Sequence, residues 1–219
     1  AARSVCYTNA GTLEFLLDGD GTFAFLEANA RLQVEHPVTE LVYGVDLVHE
    51  QLRIANGEPL RFTQADVAPR GWSIEVRLNA EDPAHGYAPQ SGTVAAFEVP
   101  AAPGVRVDAG VRVGSTVPVF YDSLLAKIAV LAEDRPSAVA RLRATLAATR
   151  VGGIATNLPL LRAIAADDAF AAGDTTTRYL EERGALPAAG AGARQNDALL
   201  PAIVALAAAG YAWRPAGIG

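Results

Sequence analysis

The hydrophobic pattern of the first thirty residues predicts a β-hairpin. Two short apolar-rich segments, TLEFLL (residues 12–17) and TFAFLE (22–27), flank the polar sequence DGDG (18–21). Tight turns between antiparallel strands prefer aspartate and glycine, because glycine accepts positive φ angles at no steric cost. We therefore expect two paired strands over residues 12–27, and their register decides which side chains share a face.

A regular alternation of polar and apolar residues begins within the second strand and continues beyond it. From residue 27 onward every second position is polar: Glu27, Asn29, Arg31, Gln33 and Glu35. Eight residues of extended strand span roughly 26 Å, which is too long for one small-molecule site. We expect either a bend in the chain after Asn29 or convergence of only part of the series. The alternative is a polar strand face with His36 as the residue that enters a helix.

The segment after residue 36 predicts two helices. Pro37 suits a first helical turn, because a backbone N–H at that position would have no partner within the helix, so proline loses nothing by lacking one. Asp46 is placed to cap a second helix, in which apolar residues recur at helical spacing from Val48 to Ala55. Gly57 predicts the end of that helix.

From about residue 70 the pattern changes to short apolar strands separated by Pro and Gly. These strands are predicted within residues 72–133. Pro136 and Ser137 then open a helix with Val139, Leu142 and Leu146 on one stripe, and residues 156–170 predict another. An Ala/Gly/Pro-rich linker follows over residues 185–197, before a short apolar helix and a tail.

Composition and charge narrow the class of protein. The 219 residues are 51% hydrophobic and 19% charged, which suits one or two folded domains. A net charge of −6 disfavours non-specific nucleic-acid binding, and no apolar run reaches the roughly 18 residues of a membrane span. The single cysteine, Cys6, cannot form an internal disulfide, which indicates a reducing, cytoplasmic compartment. The chain has no methionine and begins mid-pattern, so we expect a piece of a longer protein.

Two carboxylates are candidates for a metal site on the predicted hairpin. If Asp20 and Gly21 form a two-residue turn, opposed residues have numbers that sum to 41, and Glu14 lies opposite Glu27. Their Cβ atoms are then about 4.5–5.5 Å apart, where like charges destabilise the pair. A shared divalent cation explains such a pair, because Mg²⁺ commonly takes one or two carboxylates together with nucleotide phosphates. If the turn is instead Gly19–Asp20, the two glutamates do not meet.

The rest of the polar series suggests chemistry beside that metal. Asn29 adds a neutral oxygen on the same face. If the chain bends, Arg31 offers fixed charge and a planar fork for a carboxylate-like anion, and Gln33 supplies an amide. Glu35 is then a candidate general base.

Residues 25–60 carry a family resemblance. The sequence FLEANARLQVEHPVTELVYGVDLVHEQLRIANGEPL strongly resembles the signature of biotin carboxylases, which belong to the ATP-grasp superfamily. The resemblance covers about residues 1–183 and continues through EVRLNAEDP, GTVAAFEVPAAPGVRVDAG, VPVFYDSLLAKI, GIATNLPLLRAI and TTTRYLEE. The sequence departs from the family in the loop LLDGDGTF, which is one residue longer than is common, and at Ala28 and Ala30.

The resemblance implies an α+β fold in three parts. Residues 1–55 correspond to the C-terminal end of an ATP-grasp domain. Residues 56–184 correspond to the biotin carboxylase C-terminal domain, an antiparallel sheet with helices. Residues 185–219 correspond to a linker and the start of a connector segment.

The resemblance also implies roles for individual residues. Glu14, Glu27 and Asn29 match the group that holds Mg²⁺ or Mn²⁺ against ATP, and Leu16 matches an apolar contact to adenine. The bicarbonate-binding group is matched by Arg31, Gln33 and the backbone of Val34. Glu35 matches the base that deprotonates bicarbonate, and Arg106 matches an arginine that stabilises the biotin enolate. Arg77 and Arg112 are the alternatives to Arg106.

The activity implied is ATP- and Mg²⁺-dependent carboxylation of biotin by bicarbonate through carboxyphosphate. The implied setting is an acetyl-, propionyl- or methylcrotonyl-CoA carboxylase. The implied partners are a biotin carboxyl carrier domain, a carboxyltransferase subunit and a second copy of the enzyme, without nucleic acid or membrane. The given residues include no glycine-rich phosphate loop, so we expect the chain to be inactive alone. The alternatives are another ATP-grasp ligase, such as a carbamoyl-phosphate synthetase, and a non-catalytic subunit-interaction domain.

Overall fold

The structure is a computed structural model that describes residues 2–183. These residues form two compact units, the first from residues 2–75 with 129–138 and the second from 76–128 with 139–183. None of the described helices is long and apolar enough to cross a membrane. The linker and the apolar helix predicted near the C-terminus lie outside the described residues.

The first unit contains the predicted hairpin, with β1 at Thr12–Leu17 and β2 at Phe23–Asn29 in antiparallel pairing. Its turn is one residue longer than predicted. The Asp18 N–H donates to the Thr22 carbonyl at 2.9 Å, which leaves a three-residue loop that ends at Gly21 with φ 88°. The prediction of a two-residue turn at Asp20–Gly21 is therefore wrong. A three-residue loop with a residue in the left-handed conformation is the next most common hairpin connection after the two-residue turn, and glycine adopts that conformation without strain.

A β-bulge restores the predicted register. Next to the turn, opposed residues sum to 40, as in Phe15 with Phe25. The register shifts between Glu14 and Phe15, so that Glu14 pairs with Glu27 and Leu26 is left as the extra residue. Without the bulge, Leu26 would oppose Glu14 and Glu27 would point to the other face. The predicted pairing of the glutamates is confirmed, by a different backbone route.

One face of the hairpin is apolar and exposed. Its large side chains alternate along the paired strands and are 41–67% exposed: Leu13, Phe15, Leu17, Phe23 and Phe25. The Phe15 ring packs edge-on against Phe23 and Phe25, with ring centroids 6.3 and 5.8 Å apart. An apolar groove lined in part by Val5 and Tyr7 continues from this face.

The helices of the first unit follow the sequence signals. Helix α1 runs from His36 to Tyr43 with Pro37 in its first turn, and α2 runs from Leu47 to Ala55. The Asp46 carboxylate caps α2 by accepting the His49 N–H at 2.7 Å, as predicted. The predicted apolar stripe of α2, formed by Val48, Leu52 and Ala55, is by contrast exposed. The buried residue of α2 is Glu50, which accepts a 2.9 Å hydrogen bond from Arg61 Nε, so an ion pair occupies the inner side of the helix.

Short strands and helices form the region from residue 72 onward. The strands are β3 (Trp72–Asn79), β4 (Glu81–Asp82), β5 (Ala88–Pro89), β6 (Gly92–Thr93), β7 (Ala96–Glu98), β8 (Val105–Ala109), β9 (Thr116–Val117), β10 (Leu124–Ala132) and β11 (Arg150–Gly152). A three-stranded sheet has the order β3–β10–β8, and three antiparallel pairs join β4 to β5, β6 to β9 and β7 to β11. The predicted α+β class is confirmed.

The core of the second unit is built from small and branched apolar residues. Ala80, Val94, Val117 and Leu125 are buried together, with Phe97, Val111 and Ile154 packed against them. Helix α3 (Arg135–Ala148) buries its predicted stripe, since Leu142 and Leu146 are 1% and 0% exposed.

The predicted helix over residues 156–170 is two helices, α4 (Leu158–Ala166) and α5 (Asp168–Ala172). Asp167 separates them because its backbone is extended and its carboxylate accepts the Ala169 N–H at 2.8 Å. The last described helix, α6, spans Tyr179–Glu182.

Asn157 fastens the start of α4 to β3. Its Oδ1 accepts the Asn79 N–H at 2.9 Å, and its Nδ2 donates to the Arg77 carbonyl at 3.0 Å. The side chain is buried, at 9% exposure. It therefore satisfies two backbone groups near the end of β3, which is an edge strand in the order β3–β10–β8.

We predict that Asn157→Ala lowers the free energy of unfolding by about 2–4 kcal/mol, because it removes the partners of a backbone donor and a backbone acceptor. Urea unfolding followed by circular dichroism measures the loss. Asn56→Ala, at an exposed position after α2, is the matched control and should change stability by at most about 0.5 kcal/mol. Equal losses in both variants would contradict the structural role of Asn157.

We also predict that the exposed hairpin face makes the isolated chain self-associate. Burying one Phe side chain contributes about 1.5–3 kcal/mol, and this face presents three. Phe23→Ser combined with Phe25→Ser should shift the chain toward monomer in sedimentation velocity at increasing concentration. Val113→Ser, at a 60% exposed position of the second unit, should leave the distribution unchanged. An identical distribution for the hairpin variant and the parent chain would rule this face out.

Candidate active site

The glutamate pair lies on the polar face of the hairpin, within reach of a single amide nitrogen. Asn29 Nδ2 donates to Glu14 Oε1 at 3.0 Å and to Glu27 Oε1 at 3.1 Å. Asn29 closes the pairing at the end of β2, where it lies opposite Thr12. The hairpin register therefore brings two carboxylates and one amide together.

These three side chains offer the oxygen ligands that a hard cation prefers. Two carboxylates and an amide oxygen are ligands that Mg²⁺ and Mn²⁺ accept. Among residues 2–183 no cluster of three or more His, Cys, Asp or Glu side chains is arranged to hold a metal. A pair of carboxylates is nevertheless what Mg²⁺ needs when nucleotide phosphates supply other ligands. Glu14, Glu27 and Asn29 fit that role, and their role in metal binding stays a prediction.

Gln33 joins the group because the chain bends. Strand β2 ends at Asn29 and α1 begins at His36, so the polar series is not one extended strand. Gln33 Nε2 donates to Glu14 Oε1 at 3.0 Å, and Thr12 Oγ1 donates to Gln33 Oε1 at 2.9 Å. Of the two alternatives expected for this series, the structure shows the bend. Thr12 was not predicted, although its position two residues before Glu14 places it on the same face.

The other residues of the series occupy the bend and the adjoining strand. Arg31 Nη2 donates to Asn29 Oδ1 at 3.3 Å, and Arg31 Nη1 donates to the Leu32 carbonyl at 3.3 Å. Val34 and Glu35 lie in the turn before α1, and Glu35 is exposed. Leu16 lies on β1 two residues after Glu14 and is 60% exposed. The structure thus links Gln33 to Glu14 and Arg31 to Asn29, and it places Glu35 at the start of the helix.

Arg106 belongs to the second unit, on β8. Its Nε and Nη2 donate to the two carboxylate oxygens of Asp108, each at 2.9 Å. This hydrogen bond to the guanidinium is the main reason why the pKa of Asp108 lies below its usual value. Lys127 Nζ, on β10, lies 3.4 Å from Asp108 Oδ2. Asp108 and Lys127 were not predicted, because their contacts depend on the order of strands in the sheet.

The two alternatives to Arg106 have different surroundings. Arg77 is an exposed residue of β3 whose carbonyl accepts the Asn157 hydrogen bond described above. Arg112 is exposed in the turn after β8, where its N–H donates to Ser115 Oγ at 3.0 Å. Arg106, in turn, makes the bidentate carboxylate contact described above.

Comparison with known proteins gives two family matches. Residues 75–182 match the model of the biotin carboxylase C-terminal domain. Residues 1–63 match the model of the carbamoyl-phosphate synthase L chain, ATP binding domain. The two matches follow one another along the chain, with residues 64–74 between them.

Individual relatives extend over both matched segments. The chain is 50% identical over 182 residues to Biotin carboxylase 2 of Bacillus subtilis, covering 83% of this chain and 41% of that protein. It is 43% identical over 183 residues to the mitochondrial propionyl-CoA carboxylase alpha chain of Homo sapiens, covering 83% of this chain and 25% of that protein. The chain therefore spans about two fifths or less of the length of these curated relatives.

A solved structure agrees with these matches. The biotin carboxylase domain dimer of the Hydrogenobacter thermophilus 2-oxoglutarate carboxylase was crystallised with MgADP, ADP and bicarbonate. It superposes with a TM-score of 0.81 at 46% identity, covering 84% of this chain and 41% of that one.

We predict opposite effects of Glu27→Gln on metal binding and on stability. Removing one of two carboxylates should weaken Mn²⁺ or Mg²⁺ binding to the chain by about tenfold or more. Removing a like charge from a directly opposed pair should at the same time leave the metal-free chain as stable, or more stable by about 0.2–1 kcal/mol. Water-proton relaxation with Mn²⁺ measures the first effect and urea unfolding the second.

Glu133→Gln removes an exposed carboxylate outside the hairpin and is the control for this prediction. It should change neither quantity. Equal metal affinity in Glu27→Gln and in the parent chain would exclude Glu27 as a ligand.

Proposed function

We propose, because this chain belongs to the biotin carboxylase family of the ATP-grasp superfamily, that it supplies part of the site for ATP-dependent carboxylation of biotin by bicarbonate. The observation that carries the proposal is the grouping of Glu14, Glu27 and Asn29, with Gln33 hydrogen-bonded to the same carboxylate. Such a grouping provides acidic and amide groups on one wall of a nucleotide site.

Glu14, Glu27 and Asn29 would hold Mg²⁺ or Mn²⁺. A divalent cation in this position neutralises charge on the transferring phosphoryl group of ATP. Protein groups orient the carboxylates, since Asn29 and Gln33 donate to Glu14 and Asn29 also donates to Glu27. Leu16, on the same face of β1, is the proposed apolar contact to adenine.

Arg31, Gln33 and the backbone of Val34 are the proposed bicarbonate-binding group. Arg31 carries a permanent charge and a planar set of donors that match a carboxylate-like anion. Gln33 is oriented by Thr12 on one side and Glu14 on the other, so its amide has a defined direction before substrate binds. A polar site whose donors are already oriented loses little free energy to reorganisation during the reaction.

Glu35 is the proposed general base. Its carboxylate takes the proton of bicarbonate, a bicarbonate oxygen attacks the γ-phosphorus of ATP, and the bond from that phosphorus to ADP breaks. The product, carboxyphosphate, separates into CO₂ and phosphate. The released phosphate takes the proton from N1 of biotin, and the deprotonated nitrogen then bonds to the carbon of CO₂. Arg106 is placed in this scheme as the cation that stabilises the negative ureido oxygen of deprotonated biotin.

The whole-protein setting is part of the proposal. The proposed partners are a biotin carboxyl carrier domain, a carboxyltransferase subunit and a second copy of the enzyme, in the cytoplasm. The likeness to propionyl-CoA carboxylase alpha chains supports an acyl-CoA carboxylase as the parent complex. The proposed domain boundaries are residues 55/56 and 184/185.

A chimera tests the proposal directly. Residues 1–182 would replace the matching segment of Biotin carboxylase 2 of Bacillus subtilis, with which they share 50% identity. We expect the chimera to hydrolyse ATP in a bicarbonate- and biotin-dependent reaction and to fix labelled bicarbonate on biotin. Ammonia in place of biotin separates the carbamoyl-phosphate alternative, and a folded chimera that turns over neither acceptor would support the non-catalytic alternative. Residues 1–219 alone should show no turnover with the same substrates.

We predict that Glu35→Gln in the chimera lowers kcat by about 100- to 10,000-fold, because the step loses its general base. The KM for ATP should change little, since Glu35 lies outside the metal group. Initial rates of phosphate release measure both constants, and Glu133→Gln is again the control. A fully active Glu35→Gln chimera would remove Glu35 from the mechanism.

A further inference from the structure

We infer that Thr12 is a positioning residue for Gln33, and that its hydroxyl sets the affinity of the proposed bicarbonate-binding group for its anion. The inference rests on the proposed function, in which Gln33 belongs to that group. It goes beyond that function because neither the sequence nor the comparisons assign a role to Thr12.

The first step is the position of Thr12 on the hairpin. Thr12 is the first residue of β1 and pairs with Asn29, the last residue of β2. Because Glu14 follows at i+2, the side chains of Thr12 and Glu14 project from the same face of the strand. Gln33 reaches that face from beyond the bend, and the two ends of its amide contact these two residues. One strand therefore holds both ends of the Gln33 amide.

The second step is the orientation of the Gln33 amide. An ionised carboxylate only accepts hydrogen bonds, so the contact with Glu14 selects Nε2 as the end of the amide that faces it. The Thr12 hydroxyl donates to the opposite end, Oε1, at 2.9 Å. One contact alone would leave the amide plane free to turn, because the terminal torsion of a glutamine side chain is broad. Two contacts at opposite ends fix the plane.

The third step is what this orientation presents to an anion. The Gln33 Nε2 carries two hydrogens and gives one to Glu14, which leaves a second N–H for another acceptor. Among residues 2–183, Gln33 Nε2 has no second acceptor. Because Thr12 occupies the carbonyl end, the amide meets bicarbonate with a hydrogen-bond donor rather than with a lone pair that would repel the anion.

The fourth step separates this role from a purely structural one. Thr12 is exposed and Gln33 is only half-buried, so water can replace either partner of their hydrogen bond. Such a hydrogen bond contributes little net free energy to folding. Water satisfies the Gln33 Oε1 atom, but it does not fix the amide plane as a side chain on a strand does. Loss of the Thr12 hydroxyl should therefore affect anion binding more than it affects stability.

The test compares the chimera described above with its Thr12→Val variant, which removes the hydroxyl and keeps the branched shape that strands prefer. The KM for bicarbonate should rise about 3- to 10-fold, because ordering a free side chain on binding costs that much affinity. The KM values for ATP and biotin, and kcat, should stay within about twofold, since only ground-state binding of one substrate is lost. Thr12→Ser keeps a hydroxyl donor and should hold the KM for bicarbonate within about twofold of the parent value.

Thr116→Val is the matched control, because Thr116 is an exposed threonine on another strand, β9. It should leave every kinetic constant unchanged. Thermal unfolding of each variant provides the readout for a merely structural role. A bicarbonate KM in Thr12→Val equal to that of the parent overturns the inference, whatever the unfolding temperature. An equal rise in the KM for ATP also overturns it, because the hairpin as a whole would then be disturbed.

A second measurement needs no turnover and separates this inference from the proposed function. In the chain of residues 1–219, nitrogen relaxation of the Gln33 side-chain amide reports how ordered that group is, and Gln33→Ala identifies its signals. The order parameter should fall in Thr12→Val and stay at the parent value in Thr12→Ser. An equally ordered amide in Thr12→Val overturns the inference even if the chimera is active. An inactive parent chimera refutes the proposed function and with it the bicarbonate role, and the relaxation comparison still decides whether Thr12 positions Gln33.

Discussion

The electrostatic repulsion between Glu14 and Glu27 is the constraint on which the arrangement of the hairpin site depends. Like charges directly opposed across a strand pair are unfavourable, and yet the register sets them there. Two neutral amides, those of Asn29 and Gln33, donate to the carboxylates and lower the cost of bringing them together. The bend after β2 is required for this, because only a bent chain returns Gln33 to Glu14.

The two units hold their polar groups with different partners. In the first, Asn29 donates to both glutamates and Gln33 donates to Glu14. In the second, the Asp108 carboxylate accepts two hydrogen bonds from the Arg106 guanidinium and lies 3.4 Å from Lys127 Nζ. The opposed glutamates are poorly explained by stability, since close approach of like charges is unfavourable. A bound cation would offset that repulsion, and this role of the pair stays a prediction.

Local signals in the sequence were sufficient for the elements that they specify directly. The cap at Asp46, the proline at the start of α1 and the buried stripe of α3 were all predictable, because each depends on residues within one or two turns. The break at Asp167 and the exposed stripe of α2 were not predicted, because a cap and a buried ion pair override the apolar periodicity. The residues of the candidate site show the same contrast between local signals and tertiary contacts. The pairing of Glu14 with Glu27 agreed with the prediction although the two-residue turn assumed for it was wrong, because the bulge restored the register. Thr12, Asp108 and Lys127 were identified only from the three-dimensional structure.

The bulge at Leu26 has a consequence for how the length of this hairpin can change. Side chains in a strand alternate with a period of two, so a single inserted or deleted residue normally exchanges the two faces. Here the longer loop shifts the register by one residue, and the bulged residue shifts it back. Both glutamates therefore stay on the polar face. A single insertion or deletion in this hairpin therefore keeps both glutamates on the polar face only if a second change shifts the register back. Loop length and strand irregularity at this position should accordingly vary together.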